Sequence, residues 1–253
     1  VSTRALSFGP VAPAYERFRP GYPGEVADQV LAYAGRPVRT ALEVGAGTGK
    51  ATRVFASRGV AVTATDPDPA MLTELRKHVP DTVTVVRGSF EELPLTPVYD
   101  LVFAAASFHW TQPEGRWDRV AAMLRPDGIF ASFGSPLQLA DPAVEQAVRA
   151  ARAEFLVEDG VPSPDGTPPE STMQWPGSEL LLSRRFADVR QLVIERPLDV
   201  SSSDYVGNLA TVSAYLELPQ TVRAQVLARI LSAVPERVAL VADIILHVAR
   251  LAD

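Results

Sequence analysis

Cysteine is absent from the 253-residue chain. That excludes disulfides, thiolate metal sites and a cysteine nucleophile. Lysine is almost absent: Lys50 and Lys77 stand alone and arginine supplies the remaining strong bases, a bias that reads as genome composition. No apolar run approaches the ~20 residues needed to cross a bilayer, and no signal-peptide pattern is read. The expectation is therefore a soluble cytoplasmic protein with no membrane partner. Basic residues are also outnumbered, 24 against 30 acidic, giving a net charge of −6. A general nucleic-acid binder would carry the opposite balance. No His/Asp/Glu cluster has metal-ligand spacing, so no metal is expected. No G-x-S-x-G nucleophile elbow occurs either.

What remains is an ordinary globular balance, with 47% hydrophobic and 21% charged residues. Short buried-strand patterns alternate with helical ones. Strands are expected at 40–44, 60–65, 82–86, 100–104 and 129–133, and helices at 21–34, 48–57, 69–78 and 116–124. That rhythm implies parallel strands in an α/β sheet. Between the fourth helix and the fifth strand, RPDG at 125–128 has turn composition. After Ser135 the rhythm changes. Asp141-Pro142 opens a helix whose apolar face is Val144, Val148, Ala151 and Phe155. The proline-rich stretch 160–169 reads as loop. Helices at 203–215 and 220–234 lie between strands at 189–195 and 244–249. No internal repeat is found, so the tail reads as the end of the same sheet with an insertion.

The stretch ALEVGAGTGKATR (41–53) carries the chemistry. Gly45, Gly47 and Gly49 follow Glu43 in the pattern E-x-G-x-G-x-G. Glycines so placed accept unusual φ values and let a ligand approach the backbone. A dinucleotide fingerprint, G-x-G-x-x-G, would need its third glycine where Lys50 stands. The phosphate loop fails as well, since Val44 lies five positions upstream of Gly49 and Ala51 follows Lys50. Asp66 ends the second strand, where a carboxylate can accept hydrogen bonds from both hydroxyls of a ribose. The same aspartate would serve as a helix N-cap, a role open also to Asp68.

From Glu43 to Gly49, with Asp66, the chain resembles the class I S-adenosylmethionine-dependent methyltransferases. Further segments carry the resemblance: YERFRPGYP (15–23), ATDPDPAML (64–72), RGSFEELPL (87–95), YDLVFAAASFHW (99–110) and VAAMLRPDGIFASF (120–133), with Asp127 replacing a family glycine. It is closest to the small-molecule type-11 group that includes trans-aconitate-like enzymes. It implies a Rossmann-like, mostly parallel seven-stranded sheet with helices on both faces, a last antiparallel strand, and a helical insertion after the fifth strand. One domain would cover 1–253, with 8–135 as cofactor core, 136–185 as an insertion over the acceptor pocket and 186–253 completing the sheet.

The resemblance also implies roles. Glu43, Gly45, Ala46, Gly47 and Gly49 would line the methionine part of S-adenosyl-L-methionine. Tyr15 and Arg19 would close over its carboxylate, though both also suit anchors for the first helix. Asp66 and Pro67 would hold the ribose. Met71, Ser89 and Phe90 would meet the adenine, Phe90 fitting the core equally well. Ala104 and Ala105 would flank the cofactor at the fourth strand's exit. The implied reaction is methyl transfer to an O, N or C nucleophile of a small-molecule acceptor, leaving S-adenosyl-L-homocysteine. His109 would act as base or positioner, or be a structural histidine. Trp110, Phe155 and Trp175 are candidate acceptor contacts, each also a plausible core residue, with Met173 a further wall. Arg149, Arg152, Arg184 and Arg185 could hold an acidic acceptor, though solvated surface suits most of them better. His78 and His247 read as structural. The alternative is a protein of this fold that binds the cofactor but catalyses another reaction or serves as a scaffold. The sequence leaves oligomeric state and acceptor identity open.

Overall fold

The computed structural model describes residues 7–156, 163–168 and 170–252. In chain order the elements that position the site are α1 (Ala12–Phe18), α2 (Gly24–Ala34), β1 (Thr40–Val44), α3 (Thr52–Ala56), β2 (Ala61–Asp66), α4 (Pro69–Leu75), β3 (Thr84–Arg87), β4 (Tyr99–Ala105), α5 (Arg116–Met123) and β5 (Leu124–Gly134). There follow β6 (Gln138–Leu139), α6 (Pro142–Arg152), α7 (Gly177–Leu182), β7 (Phe186–Ile194), β8 (Pro197–Ser201), α8 (Ser202–Leu209), α9 (Ser213–Leu216), α10 (Gln220–Ala233), β9 (Arg237–Val241) and β10 (Ile244–Leu251).

Seven strands form one sheet in the order β3-β2-β1-β4-β5-β10-β7. The first five run parallel, and β10 is antiparallel to both of its neighbours. This is the expected Rossmann-like sheet. Strand alternation divides its core between two faces. Leu101 and Phe103 of β4 join Val26, Val30 and Phe55 on one face. Val102 and Ala104 join Met123 and Phe130 on the other. The helices thus cover both sides of the sheet.

Three local features follow from single residues. Asp68 and Asp141 cap α4 and α6 by accepting from the backbone N–H groups of Ala70 and Ala143, each with proline next in the chain. Asp127 adopts φ +59°, a left-handed conformation that favours glycine and that aspartate tolerates. RPDG lies within the span of β5, but its four residues bulge out of the pairing with β4, which passes from Leu124 opposite Tyr99 to Ile129 opposite Leu101.

Three expectations are corrected. The segment after β5 is not purely helical, because β6 pairs with β9, and β9 with β8, in a second, three-stranded antiparallel sheet. Its strands are of two to five residues, too short to stand out by periodicity. The helix expected from Thr48 begins only at Thr52, because Gly49 N–H bonds back to the Ala46 carbonyl in a turn. The helix expected at 203–215 is two short ones, α8 and α9. Of the expected 160–169 loop, residues 163–168 are described and hold no helix or strand; the others lie outside the described residues.

Candidate active site

The turn after β1 is built from three left-handed glycines, at φ +69° for Gly45, +55° for Gly47 and +83° for Gly49. Each has a different reason to lack a side chain. A Cβ on Gly45 would lie 2.5 Å from the Ser107 Cβ, because the exit of β4 folds over it and Ser107 Oγ donates to the Val44 carbonyl. A Cβ on Gly49 would lie 2.9 Å from Leu75, so that glycine seats the turn on α4. Gly47 meets only the Met71 methyl, at 3.5 Å. Its open side faces a cleft at the carboxyl ends of the strands.

Two carboxylates brace the turn. Glu43 is fully buried. One of its oxygens accepts from the Thr52 hydroxyl at 2.5 Å, and the other, Oε1, is buried without a hydrogen-bond partner. Burial pushes its carboxyl up to about 8; Thr52 opposes the shift and Asp66 adds to it. Asp66 accepts from Gly47 N–H and from Asp68 N–H, both at 2.9 Å. Burial raises it to about 6 against those two donors. Because Asp68 caps α4, Asp66 is left to fix the glycine turn.

The N-terminal segment closes the cleft from above. Tyr15, Arg19 and Tyr22 all line it. The Arg19 guanidinium lies 5.4 Å from the Tyr15 ring centroid. It donates to the hydroxyl and carbonyl of the buried Thr211, at 2.9 and 3.0 Å, so the α8–α9 connection aims it. Lys50 also lines the cleft but is spoken for by Glu16, which pairs with Arg53 as well. Arg196, just beyond β7, donates to the Gly21 carbonyl at 2.6 Å.

Tyr15, Arg19, Glu43, Gly45, Ala46, Gly47 and Ala105 are thus brought together in one cleft. Pro67 and Ser89 line an adjoining depression beyond Asp66, with Ser89 Oγ donating to Glu92 at 2.7 Å. Met71 is buried beneath Gly47. Other expected contacts lie elsewhere. Phe90 and Ala104 point into the core on the far face of β4. Phe155 packs with the α6–α10 cluster and under Arg229, because it continues the apolar face of α6. Trp175 stacks on Phe108, with Arg116 over its ring, and is core rather than pocket wall. Met173 lies by Gly177 and His247.

His109 and Trp110 form a short 3-10 turn after β4, their rings 4.4 Å apart. They are not among the cleft-lining residues; Trp110 reaches Tyr15 only through Phe8, at 6.3 and then 6.0 Å. His78 pairs with Glu74. His247 is bonded to Gln191 and held down to about 4 by burial. Arg149 and Arg185 pair with Glu145 and Asp118 at the surface. Among the described residues no His/Asp/Glu group is disposed to hold a metal ion. No helix there is long and apolar enough to cross a membrane.

Sequence reasoning missed Tyr22, Arg196 and Thr211. Tyr22 lies within the YERFRPGYP stretch already noted. The other two carry no local signal, since each reaches the site from the far end of the chain.

The cleft's own chemistry asks for a ligand of a definite kind. Among the described residues it offers an unpaired buried carboxylate oxygen, of Glu43, for an ammonium group and an arginine without a carboxylate partner, Arg19, for an acid, on either side of a bare glycine backbone. An amino-acid moiety matches that set.

The comparisons agree with this reading. The family model described as "Methyltransferase domain" matches residues 42–132. Over 125 residues, 49% of this chain and 50% of the relative, the chain is 46% identical to an uncharacterized methyltransferase of Mycobacterium tuberculosis. The chain spans about half the length of the curated relatives it matches. Among solved structures, a protein assigned as a type II methyltransferase in Anaeromyxobacter dehalogenans aligns over 92% of this chain and 98% of its own, at TM-score 0.62 and 23% identity. A phosphoethanolamine N-methyltransferase of Haemonchus contortus, solved with S-adenosylhomocysteine, aligns over 100% of this chain and 61% of its own, at TM-score 0.55 and 15% identity. Residues 42–132, which hold the glycine turn, thus match the methyltransferase-domain family model, and the chain shares its fold with these solved structures.

Proposed function

We propose that the chain binds S-adenosyl-L-methionine in this cleft and transfers its methyl group to a small-molecule acceptor in the cytoplasm, working as one functional unit. The observation that carries the reading is Glu43 Oε1, a buried oxygen with no partner beside the glycine turn. Left so, it costs on the order of 1–3 kcal/mol, and more if ionised. The ammonium of the cofactor would satisfy it. Arg19, already aimed by Thr211, would take the cofactor's carboxylate. Gly47 leaves room for its chain, and Asp66 with Pro67 faces the ribose. The cofactor supplies an electrophilic methyl on a sulfonium.

The protein's part is binding and orientation, which can lower the barrier by ~7–11 kcal/mol. The N-terminal segment excludes water above the turn. Of the aromatic run Tyr15, Phe8, Trp110, the Tyr15 ring lines the cleft and would favour a cationic sulfonium there. His109 is held against Trp110 outside the cleft's lining, and we read it as positioning the acceptor side indirectly, through Trp110 and Phe8. The test is production of S-adenosylhomocysteine from S-adenosyl-L-methionine across a panel of small acceptors. Turnover with at least one acceptor is expected. Cofactor binding without turnover on any acceptor of the panel would favour the non-transferring alternative.

A further inference from the structure

Arg196 is a second cation in the cleft that the cofactor does not use. It follows β7, at the same end of the sheet as Ser135 after β5 and Ala105 at the end of β4. The glycine turn and Asp66 lie at the ends of β1 and β2. With neighbouring strands ~4.8 Å apart, Arg196 therefore enters from the side of the cleft away from the cofactor's ribose. Two backbone bonds hold it there: its own N–H donates to Asp243 at 2.8 Å, and its Nη1 to the Gly21 carbonyl at 2.6 Å. Burial disfavours its charge, and no carboxylate among the described residues forms an ion pair with it. The neighbouring Tyr22 phenol is held protonated by burial and remains a donor.

The charges pair off unevenly. On the reading above, Arg19 meets the cofactor's carboxylate, Glu43 its ammonium, and Lys50 is already paired with Glu16. The sulfonium and Arg196 are left without a counter-ion, in a protein whose net charge is −6. Charges removed from water are ordinarily paired. The missing partner is negative.

We propose that Arg196 anchors an acidic acceptor, a small molecule bearing a carboxylate, with the Tyr22 hydroxyl as a second donor. This rests on the cofactor reading and adds the substrate class to it. An ionised acceptor also needs no proton removed, which suits a cleft lined by no histidine.

The test uses the full chain saturated with S-adenosylhomocysteine and follows succinate, glutarate and benzoate by ligand-observed NMR. Each acid is paired with its neutral methyl ester, and inorganic phosphate is a separate arm. At least one acid should bind and its ester should not. Arg196→Gln should weaken that acid by about tenfold to a hundredfold, the range for losing a charged hydrogen-bond partner, and Arg196→Lys should recover part of the loss. S-adenosylhomocysteine affinity should stay within about twofold in both variants, and this also reports that they are folded. Equal binding of acid and ester, no binding by any acid, or acid binding indifferent to Arg196→Gln overturns the proposal. So does Arg196-dependent binding of phosphate alone, which would mean a different anion class. If S-adenosylhomocysteine itself fails to bind, it is the cofactor reading that falls.

Discussion

Glu43 makes cofactor binding a proton-release reaction. In the free protein burial holds its carboxyl at about 8, so it is largely protonated at neutral pH. An ammonium seated against Oε1 favours the ionised form. Binding must then expel the proton, at a cost of ~1.4 kcal/mol for each pH unit below 8. Between pH 6.5 and 7.5 Asp66, at about 6, is already mostly ionised, and an α-amino group is still mostly protonated. In that window raising the pH by one unit should tighten S-adenosylmethionine binding about tenfold. Calorimetry in buffers of different ionisation enthalpy should find close to one proton released per cofactor. Glu43→Gln should bind more weakly, release none and lose the slope. Stability should move the opposite way. A carboxyl raised from 4.5 to about 8 on folding keeps its full contribution below 4.5 and loses it as pH rises toward 8. The free wild type should therefore lose up to several kcal/mol across that range relative to Glu43→Gln. A Glu43→Gln protein with the wild-type affinity and the wild-type pH slope would refute the reasoning.

Other substitutions probe other parts of the site. Asp66→Ala removes the acceptor for Gly47 N–H and the ribose contact; cofactor affinity should fall by about 1.5–3 kcal/mol in calorimetry. The fold should survive, because Asp68 still caps α4. His109→Gln should raise the acceptor KM while leaving kcat and the pH–rate profile nearly unchanged; a fall of the ~10²–10⁴ typical of a lost general base would make the imidazole catalytic after all. At the opposite end of the sheet, burial would raise Asp100, but Arg36, the backbone N–H groups of Arg39 and Thr40, and the Thr40 hydroxyl outweigh it and hold its carboxyl down to about 2. That stabilisation is present above pH 3.8 and lost as pH falls toward 2, so Asp100→Asn should cost about 2 kcal/mol in neutral urea titrations and flatten the acid limb.

The parts of the site legible in the sequence were those whose reason is local. Three alternating glycines announce unusual backbone conformations, and their φ values bear this out. Asp66 and Asp68 stood as rivals for one cap, and the structure gives the cap to Asp68 alone. What the sequence hid depends on distant partners. Thr211 meets Arg19 across 192 residues and Arg196 meets Gly21 across 175, with no pattern near either to mark them. Apolar residues stayed ambiguous for a related reason. Phe155 and Trp175 suit a pocket wall or a core equally well, and only the packing of α6 on α10 and of Trp175 on Phe108 decides for the core. The small sheet of β6, β8 and β9 escaped because strands of two to five residues leave no periodicity to count.

The most direct test is calorimetric titration of the wild-type chain and of Gly47→Val with S-adenosylmethionine and, separately, with NADH. Gly47 sits at φ +55° with its open side to the cleft, so a branched side chain there would fill the space of the methionine moiety. Wild type should bind S-adenosylmethionine with micromolar affinity, about −7 to −8 kcal/mol, Gly47→Val should bind it far more weakly, and neither should bind NADH. Binding of NADH with no binding of S-adenosylmethionine would contradict the account at its centre.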